Sequence, residues 1–400
     1  MMTLQNKKIL LGLTGGVAIY KAAGLLRRLV QDHGAEVHVV MTHAAQQFMT
    51  PLIFETFSGR PVLTDMWRGG PVATRHISLA EQSDLILICP ATANCIAKVA
   101  HGIADDLLTT IILAAGSKTL FALAMNERML INPITQANIE QLRRLSYGLI
   151  EPATGMLACQ TVGRGRLADE QTIIDAIDRY LNGRRLLQDK RVVVTAGATR
   201  EWIDAVRFIS NRSTGKMGYA LARVAAREGA RVTLISGPVH LSPPAGVELI
   251  SVETAAQMQN ALLSQASGCE LLFMAAAVED LVPCTVSPAK IRKSDALTTI
   301  PVTPAPDLTR LFREANPHAL MVGFSVEYTE GKKRSRQKMQ AKGLDYIAWN
   351  NPAQPGVGFA GDTNAATLLA RDGSEWDFPL RSKYRLAENL IETISGRTMP

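Results

Sequence analysis

The sequence predicts an α/β fold that is built twice along one chain. A strand pattern of β-branched residues, a turn of small residues and an apolar helical pattern follow one another between residues 191 and 228. The same order occurs between residues 8 and 33. Strand and helix patterns alternate after each of these starts, which is typical of parallel sheets covered by helices. We therefore predict two Rossmann-like, three-layer domains, residues 1–189 and 190–400.

In the first domain, apolar runs predict the strands of a parallel sheet. The run at 85–89 is uninterrupted, so we expect this strand to be buried on both faces. A glycine-bearing loop that contains Cys159 precedes the last helix. The predicted strands are 8–13, 37–41, 85–89 and 119–126, the predicted helices are 17–33 and 170–181, and 58–76 is a long loop.

The second domain repeats the alternation and closes with a hairpin and a helix. The stretch 282–305 contains four prolines and little periodicity, so we expect a long functional loop. Residues 371–373 predict the turn of the hairpin. The predicted strands are 191–195, 231–236, 247–251, 270–275, 320–324 and 345–349, and the predicted helices are 216–228, 254–266, 306–315, 331–342 and 386–394.

The composition indicates a globular chain that favours anionic ligands. Lysine and arginine number 43 against 36 acidic residues. This excess suits phosphates, whereas no long basic run or aromatic-basic pattern indicates a nucleic-acid partner. No stretch reaches the ~18 apolar residues that span a bilayer. The apolar run near the N-terminus is too short for a signal peptide.

The cysteines predict the compartment. Five of them occur, at positions 89, 95, 159, 269 and 284, without a CxxC pair. An odd number with this spacing predicts free thiols in a reducing environment. We therefore expect a cytoplasmic protein with no membrane partner.

The first glycine turn, residues 15–16, follows a strand and precedes a helix. A tight βα connection alone explains it, because the turn is not a GxGxxG fingerprint. Thr42, residues 90–94 and the pair 105–106 would meet this turn at the carboxyl edge of a parallel sheet. Their small hydroxyl and amide groups suit a flavin phosphate and ring.

Three single residues of the first domain could carry chemistry. A histidine such as His76 can act as a general base near neutral pH, although a lone histidine is more often structural. Asn126 ends a predicted strand and could be a plain helix cap. Cys159 lies in a glycine-rich loop, where an accessible thiol could act as an acid, whereas a buried cysteine is usually inert.

Polar residues also cluster around the second glycine turn. Arg207, Asn211 and Lys216 flank it, and helix capping by Asn211 and a solvated Lys216 are the plain alternatives. The basic run 290–293 would neutralise phosphate charge if it lay over a nucleotide, but such runs are usually solvated. Asp280 ends a predicted strand and could hold Mg²⁺.

Taken together, these motifs resemble two enzyme families. The segments that resemble flavin-dependent 4'-phosphopantothenoylcysteine decarboxylases begin at residues 12, 76, 90, 102, 124 and 158 and read GLTGGVAIYK, HISLA, PATAN, GIADDLLTT, AMN and ACQTVGRGR. The segments that resemble phosphopantothenate–cysteine ligases begin at residues 194, 275, 290, 305 and 322 and read VTAGATREWIDAVRFISNRSTGKMGYALA, AAAVED, KIRK, APDL and VGF. In many bacteria the two are fused in this order for coenzyme A biosynthesis.

The first resemblance implies an FMN-dependent decarboxylation of 4'-phosphopantothenoylcysteine to 4'-phosphopantetheine. FMN oxidises the cysteinyl thiol, so that the neighbouring carboxylate can leave as CO₂. The resemblance implies His76 as the base, Asn126 as the residue that holds the substrate carboxylate and Cys159 as the acid of the reductive step. It also implies that FMN is bound by Gly15, Gly16, Ala18, Thr42, Pro90, Thr92, Asn94 and Met125.

The second resemblance implies that CTP and Mg²⁺ activate the carboxylate of 4'-phosphopantothenate as an acyl-cytidylate. The amine of cysteine then displaces CMP. Lys290 matches the residue of the activation step, Asn211 the residue that handles the acyl-cytidylate, and Asp280 the metal ligand. The residues that match nucleotide and intermediate contacts are Arg207, Ala277, Asp280, Lys290, Pro306, Asp307, Leu308, Thr309, Phe324, Lys338 and Lys342.

The resemblance further implies a homo-oligomer, a dodecamer of decarboxylase trimers linked by ligase dimers. The sequence departs from the family pattern at Leu123, Leu130 and Gln160. Two alternatives therefore stay open. One is a decarboxylase that acts on another acyl-cysteine or a peptidyl-cysteine, against which the ligase motifs argue. The other is a non-catalytic flavin-binding scaffold, against which the retained catalytic set argues.

Overall fold

The computed structural model folds into two compact units, Met1–Asn182 and Gly183–Pro400. Residues 183–189 are the last residues of the predicted first domain, but they belong to the second unit. The reason is that Leu187 is fully buried in the core of that unit, where its backbone N–H donates to the carbonyl oxygen of Glu228 over 3.0 Å. The structure describes residues 4–67, 75–156, 162–292, 299–358 and 361–398.

The first unit alternates strands and helices as predicted. Its elements are, in chain order, β1 (Lys8–Leu13), α1 (Ile19–Gln31), β2 (Glu36–Met41), α2 (His43–Gln46), α3 (Pro51–Ser58), α4 (Arg75–Gln82), β3 (Leu85–Ala91), α5 (Ala93–Ala100), α6 (Leu107–Ala115), a short 3₁₀ helix (Gly116–Lys118), β4 (Thr119–Leu123), α7 (Glu127–Leu130), α8 (Pro133–Arg144), β5 (Gly148–Ile150), β6 (Ala153–Met156), β7 (Val162–Arg166) and α9 (Glu170–Asn182).

A parallel sheet with the strand order β2-β1-β3-β4-β5 forms the middle layer of this unit. The central strand β3 is buried along its whole length, as its uninterrupted apolar run predicts. Leu85 and Leu87 contribute to the core that contains residues of α1 and α9. Ile86 and Ile88 contribute to the core that contains residues of α5 and α6. The predicted three-layer α/β class is therefore confirmed.

We predicted a loop for the glycine-bearing segment before the last helix. The described parts of this segment instead form the two arms of a hairpin. Strands β6 and β7 pair antiparallel, with Met156 opposite Val162. Gly165 has a φ of +147°, and a Cβ on it would lie 2.1 Å from the carbonyl oxygen of Met125. Residues 157–161, and with them Cys159 and Gln160, lie outside the described ranges.

The second unit contains a larger mixed sheet. Its elements are β8 (Arg191–Ala196), β9 (Arg200–Trp202), β10 (Phe208–Ser210), α10 (Lys216–Arg227), β11 (Arg231–Ser236), β12 (Val247–Ser251), α11 (Ala255–Ser264), β13 (Leu271–Met274), β14 (Leu281–Pro283), β15 (Val302–Pro304), α12 (Leu308–Ala315), β16 (Leu320–Val326), α13 (Gly331–Ala341), β17 (Tyr346–Asn350), β18 (Thr363–Ala370), β19 (Glu375–Ser382) and α14 (Lys383–Thr398).

The strand order of this sheet is β12-β11-β8-β13-β16-β17-β18-β19. The first six strands in this order, from β12 across the sheet to β17, are parallel to one another. The predicted final hairpin adds β18 and β19, which pair antiparallel. Val192 and Val194 of β8 contribute to one core, and Val193 contributes to another. The sheet is thus covered on both faces, and the carboxyl ends of its parallel strands meet at one edge.

Two predictions for the second unit are wrong in detail. Asp280 does not end a strand, because β13 stops at Met274 and Asp280 directly precedes β14. The stretch 282–305 is not wholly a loop, because β14 pairs antiparallel with β15. Residues 293–298 lie outside the described ranges.

Candidate functional site

A cavity of about 1150 Å³ lies at the carboxyl end of the sheet of the first unit. The glycine turn forms part of its wall. A Cβ on Gly15 would lie 2.5 Å from the Cβ of Ala44, and a Cβ on Gly16 would lie 3.2 Å from Cγ2 of Thr92. No larger side chain fits at Gly15 without a shift of its neighbours. Both glycines line the cavity, and without side chains they leave their backbone as its wall.

The end of β3 is tied to this turn by hydroxyl groups. The Oγ1 of Thr14 donates to the carbonyl oxygen of Pro90 over 2.6 Å. The backbone N–H of Thr92 donates in turn to Oγ1 of Thr14 over 3.3 Å. These bonds join two neighbouring strand ends that the sequence separates widely. They fix the shape of the cavity wall where a ligand would lie.

The structure brings most of the predicted first-domain residues to this cavity, but not all of them. A Cβ on Gly16 would lie 3.9 Å from Cγ of Pro90, and Pro90 itself does not line the cavity. His76 lies on α4, is half-buried and does not line the cavity either. The predicted residues that do line it are Gly15, Gly16, Ala18, Thr42, Thr92, Asn94, Met125 and Asn126.

Asn126 is both a helix cap and a cavity residue. Its side-chain oxygen accepts a 2.9 Å hydrogen bond from the backbone N–H of Arg128 at the start of α7. The alternative prediction, that Asn126 caps a helix, is therefore confirmed. The side chain also lines the cavity, next to Met125, where β7 contacts the end of β4.

Several cavity residues were not predicted from the sequence. Lys21 and Arg166 are cations on the wall, and they are the last residues of two of the quoted motifs. Lys98 also lines the cavity, with its Nζ 2.7 Å from a carboxylate oxygen of Asp105. Cys95 is buried there, and burial raises the pKa of its thiol to about 12, so that it stays protonated. Lys21 and Arg166 could have been predicted from the sequence, because both lie within motifs of the decarboxylase family.

In the second unit, the buried Asp204 organises part of the predicted ligase site. Its carboxylate accepts bonds from the backbone N–H and the guanidinium of Arg207, at 2.8 and 2.9 Å, and from the backbone N–H of Ile291 at 3.1 Å. Arg207 also donates to the carbonyl oxygen of Ile291. The guanidinium of Arg207 holds the pKa of Asp204 well below its usual range. Asp204, missed from the sequence, therefore places Lys290 close to Arg207.

Asn211 contacts the segment that follows β13. Its Nδ2 donates to the carbonyl oxygen of Ala277 over 3.5 Å, and Ala277 is bridged in parallel to Ala198. Asn211 therefore does not cap α10, whose N-cap is Gly215. Lys216 is not simply solvated, because its Nζ lies 2.7 Å from a carboxylate oxygen of Asp362.

The remaining predicted ligase residues form a charged group. Lys342 Nζ lies 3.2 Å from Asp307, which also caps α12 and thereby fixes Leu308 and Thr309 in its first turn. Burial and the charge of Lys342 lower the pKa of Lys338, while Asp280 opposes this shift. Phe324 lies half-buried in β16, whereas Pro306 lines a separate cavity of about 530 Å³ with no other predicted ligand residue.

The described ranges contain neither a cluster of metal-binding side chains nor a membrane-spanning helix. No group of three or more histidine, cysteine, aspartate or glutamate side chains there could hold a metal ion. Within the same ranges, the helices are all too short or too polar to cross a membrane.

Family models match both units. The Flavoprotein family matches residues 2–182, and the DNA/pantothenate metabolism flavoprotein C-terminal domain matches residues 187–397. These matches, together with the parallel sheet and cavity of the first unit and the mixed sheet of the second, define the class as a flavoprotein of pantothenate metabolism.

Curated relatives extend the match to the whole chain. The Coenzyme A biosynthesis bifunctional protein CoaBC of Bacillus subtilis (strain 168) is 42% identical over 397 residues, 98% of each chain. That of Vibrio cholerae is 43% identical over 401 residues, 98% of this chain and 99% of the relative. The CoaBC protein of Escherichia coli (strain K12) is 40% identical over 402 residues, 99% of this chain and 98% of the relative.

Solved structures resemble the units separately. The C-terminal domain of a CoaBC protein is 32% identical, with a TM-score of 0.46, and covers 53% of this chain and 97% of its own. The FMN-dependent cysteine decarboxylase SpaF is 36% identical, with a TM-score of 0.39, and covers 44% of this chain and 97% of its own.

The chain belongs to the family of coenzyme A biosynthesis bifunctional proteins. It is thus a bifunctional flavin-dependent enzyme, a decarboxylase and a ligase in one chain.

Proposed function

We propose that the second unit ligates 4'-phosphopantothenate to cysteine, and that the first unit then decarboxylates 4'-phosphopantothenoylcysteine to 4'-phosphopantetheine. The observation that carries this proposal is the separation of the two motif sets. Most of the decarboxylase motifs contribute residues to the cavity of the first unit, and residues of the ligase motifs contact one another in the second unit. Each reaction would thus have a site of its own.

The cavity of the first unit fits FMN. Its accessible glycine backbone beside the start of α1 suits a phosphate, and the hydroxyls of Thr42 and Thr92 add hydrogen-bonding groups. Gly15, Gly16, Ala18, Asn94 and Met125 would complete the contacts, and Pro90 would support Gly16 from behind. When bound, FMN supplies the electron acceptor without which a cysteine carboxylate does not leave as CO₂.

The polar residues of the first unit would handle the substrate and its protons. The Asn126 side chain lines the cavity and would orient the carboxylate. Cys159 would donate the proton of the last step. His76 would act as the base, and its place outside the cavity of its own chain is consistent with a site that a second copy completes.

In the ligase unit, positive charge would meet the nucleotide phosphates. Lys290 would stabilise the charge that develops when CTP activates the carboxylate, beside Arg207 on the same Asp204 anchor. Mg²⁺ is usually bound by one or two carboxylates together with substrate phosphates, so Asp280 would bind it only with CTP present. Asn211, held by Ala277, would contact the acyl-cytidylate.

A homo-oligomer and a cytoplasmic location are part of the proposal. Large apolar side chains are exposed on the first unit, including Trp67, Ile134 and Leu52, at 77%, 72% and 69%. In the proposed assembly, contacts between decarboxylase units would remove such side chains from water. The decarboxylase units would form trimers, which ligase dimers would link into a dodecamer. The free cysteines at positions 89, 95, 269 and 284 support a reducing compartment.

The experiment tests each half-reaction alone with the full-length protein. With 4'-phosphopantothenoylcysteine and no nucleotide, we expect CO₂. With 4'-phosphopantothenate, cysteine, CTP and Mg²⁺, we expect pyrophosphate, and omission of CTP should abolish only this second signal. Normal pyrophosphate release without CO₂ in the first assay would overturn the decarboxylase half of the proposal.

A further inference from the structure

The cavity of the first unit carries two cations that the roles proposed above do not use. Lys21 lies in the first turn of α1 and Arg166 ends β7, and both line the cavity. The Lys21 side chain is half-buried, whereas Arg166 is exposed. The fold therefore brings two cations from distant parts of the chain to one ligand cavity.

The structure gives these two cations no acidic partner. Within the described ranges, neither side chain forms a hydrogen bond or an ion pair. The two carboxylates whose charges act on Lys21 bind other groups. Asp169 accepts bonds from the backbone N–H and the hydroxyl of Thr172, at 2.8 and 3.0 Å, and Glu170 lies 3.4 Å from Arg28.

The two cations also repel each other. Burial and the charge of Arg166 together lower the pKa of Lys21, and the opposing effects of Asp169 and Glu170 are smaller. Two positive charges that repel each other, and whose nearby carboxylates bind other groups, are stabilised by an anion that binds to both. The wall of the cavity is therefore prepared for an anionic group.

We propose that Lys21 and Arg166 together bind the phosphate group of a phosphorylated ligand of this cavity. This inference rests on the proposed function, which assigns two phosphate monoesters to the cavity, FMN and 4'-phosphopantothenoylcysteine. A dianionic phosphate can accept bonds from the planar guanidinium and from the ammonium group at once.

The substrate carboxylate suits these cations less well. A strong charge pair on this group would stabilise the carboxylate before reaction and lose its effect as neutral CO₂ forms, which opposes decarboxylation. A phosphate keeps its charge throughout the reaction. Binding it with two cations therefore holds the ligand without raising the barrier.

The experiment compares phosphorylated and dephosphorylated ligands in Lys21→Met and Arg166→Met. Methionine keeps an apolar stem of similar length in the half-buried position of Lys21. Lys21→Arg is the conservative variant. Arg27→Met is the matched control, because Arg27 is exposed on the same helix and does not line the cavity. The full-length chain is titrated with FMN and with riboflavin, and decarboxylation is followed with 4'-phosphopantothenoylcysteine and with pantothenoylcysteine.

The readout is the preference for the phosphorylated form, taken as a ratio within each variant. We expect this ratio to fall about ten- to a hundred-fold in both methionine variants for one ligand pair, as is usual when a charged hydrogen-bond partner is lost. A fall for the flavin pair assigns the cations to the FMN phosphate, and a fall for the substrate pair assigns them to the substrate phosphate. Lys21→Arg should retain most of the preference, and Arg27→Met all of it.

Unchanged ratios for both ligand pairs would overturn the inference. An equal loss of phosphorylated and dephosphorylated ligands would overturn it as well, because that result indicates damage to the fold. If the wild-type chain releases no CO₂, the proposed decarboxylation fails instead, and the flavin titration still tests the two cations.

Discussion

The backbone N–H of Met125 donates a 3.0 Å hydrogen bond to the carbonyl oxygen of Gly165. This bond joins the residue before Asn126 to the arm of the hairpin whose connection contains Cys159. The carboxylate of Glu127 adds a second bond, from the backbone N–H of Arg164 at 2.9 Å. The bond between Met125 and Gly165 thus connects the two segments of the chain to which Asn126 and Cys159 belong.

Gly165→Ala should therefore impair decarboxylation. A Cβ at this position would lie 2.1 Å from the carbonyl oxygen of Met125, so the hairpin must move away from the end of β4. We expect CO₂ release from 4'-phosphopantothenoylcysteine to fall at least ~10-fold, since small misplacements of catalytic groups cost rates of this order. Pyrophosphate release should stay unchanged. Gly396→Ala in the other unit is the control, because a Cβ there would meet nothing within 4 Å. Similar CO₂ rates in the two variants would contradict the prediction.

Cys159→Ser should stop the decarboxylase after CO₂ has left. A serine hydroxyl is a much weaker acid than a thiol, so the last protonation becomes slow. We expect one burst of CO₂ with the flavin left in its reduced absorbance state. Cys284→Ser, which changes an exposed cysteine of the other unit, is the control. Product formation at the normal rate in Cys159→Ser would show that the thiol is not the acid.

Lys290→Gln should abolish ligation and leave flavin binding intact. The substitution removes the charge proposed to stabilise the activation step and keeps a side chain of similar size. Pyrophosphate release checks the first part, and the flavin absorbance of the purified protein checks the second. Lys118→Gln in the other unit serves as a charge control. Unaltered ligase turnover in Lys290→Gln would remove this residue from the activation step.

Asp204→Asn should weaken ligation without unfolding the second unit. Asparagine keeps the shape of the carboxylate but loses the charge that binds the Arg207 guanidinium, and a charged hydrogen bond contributes more than a neutral one. We expect kcat for pyrophosphate release to fall by roughly 10-fold or more. Asp189→Asn, on the surface of the same unit, is the control. A normal kcat would mean that Lys290 does not depend on this anchor.

The stability of the chain should rise with pH because of Lys383. Burial, together with the charge of Lys216, lowers its pKa to about 8 from an ordinary value of 10.5. Between these two pH values the unfolded chain binds more protons than the folded one, so the free energy of unfolding increases with pH. Below pH 8 both states are protonated and the full penalty applies. Lys383→Met should flatten this rise in urea unfolding experiments, and an unchanged slope would contradict the assignment.

Much of the fold could be predicted because strands buried on both faces leave uninterrupted apolar runs. The β6–β7 hairpin was missed because Gly163 and Gly165 interrupt the alternation of β7, and the fold needs glycine there for contact with Met125. The ends of the proline-rich stretch pair as β14 and β15, which local sequence does not reveal.

The site was predictable only where it lies within motifs. Asp204 binds the backbone of Ile291, which is 87 residues further along the chain, so no local pattern identifies it as an anchor. Lys21 and Arg166 each lie at the end of a motif, but only the fold brings both of them to the wall of one cavity. Such long-range pairs are fixed by tertiary structure and leave no spacing to detect.

The most direct test of the bifunctional assignment is the stoichiometry of the complete reaction. Purified protein is given 4'-phosphopantothenate, cysteine, CTP and Mg²⁺, and CO₂ and pyrophosphate are measured separately over time. We expect equal amounts of both, with 4'-phosphopantetheine as the product. Pyrophosphate without CO₂, and accumulation of 4'-phosphopantothenoylcysteine, would contradict it and show that the first unit does not act on this substrate.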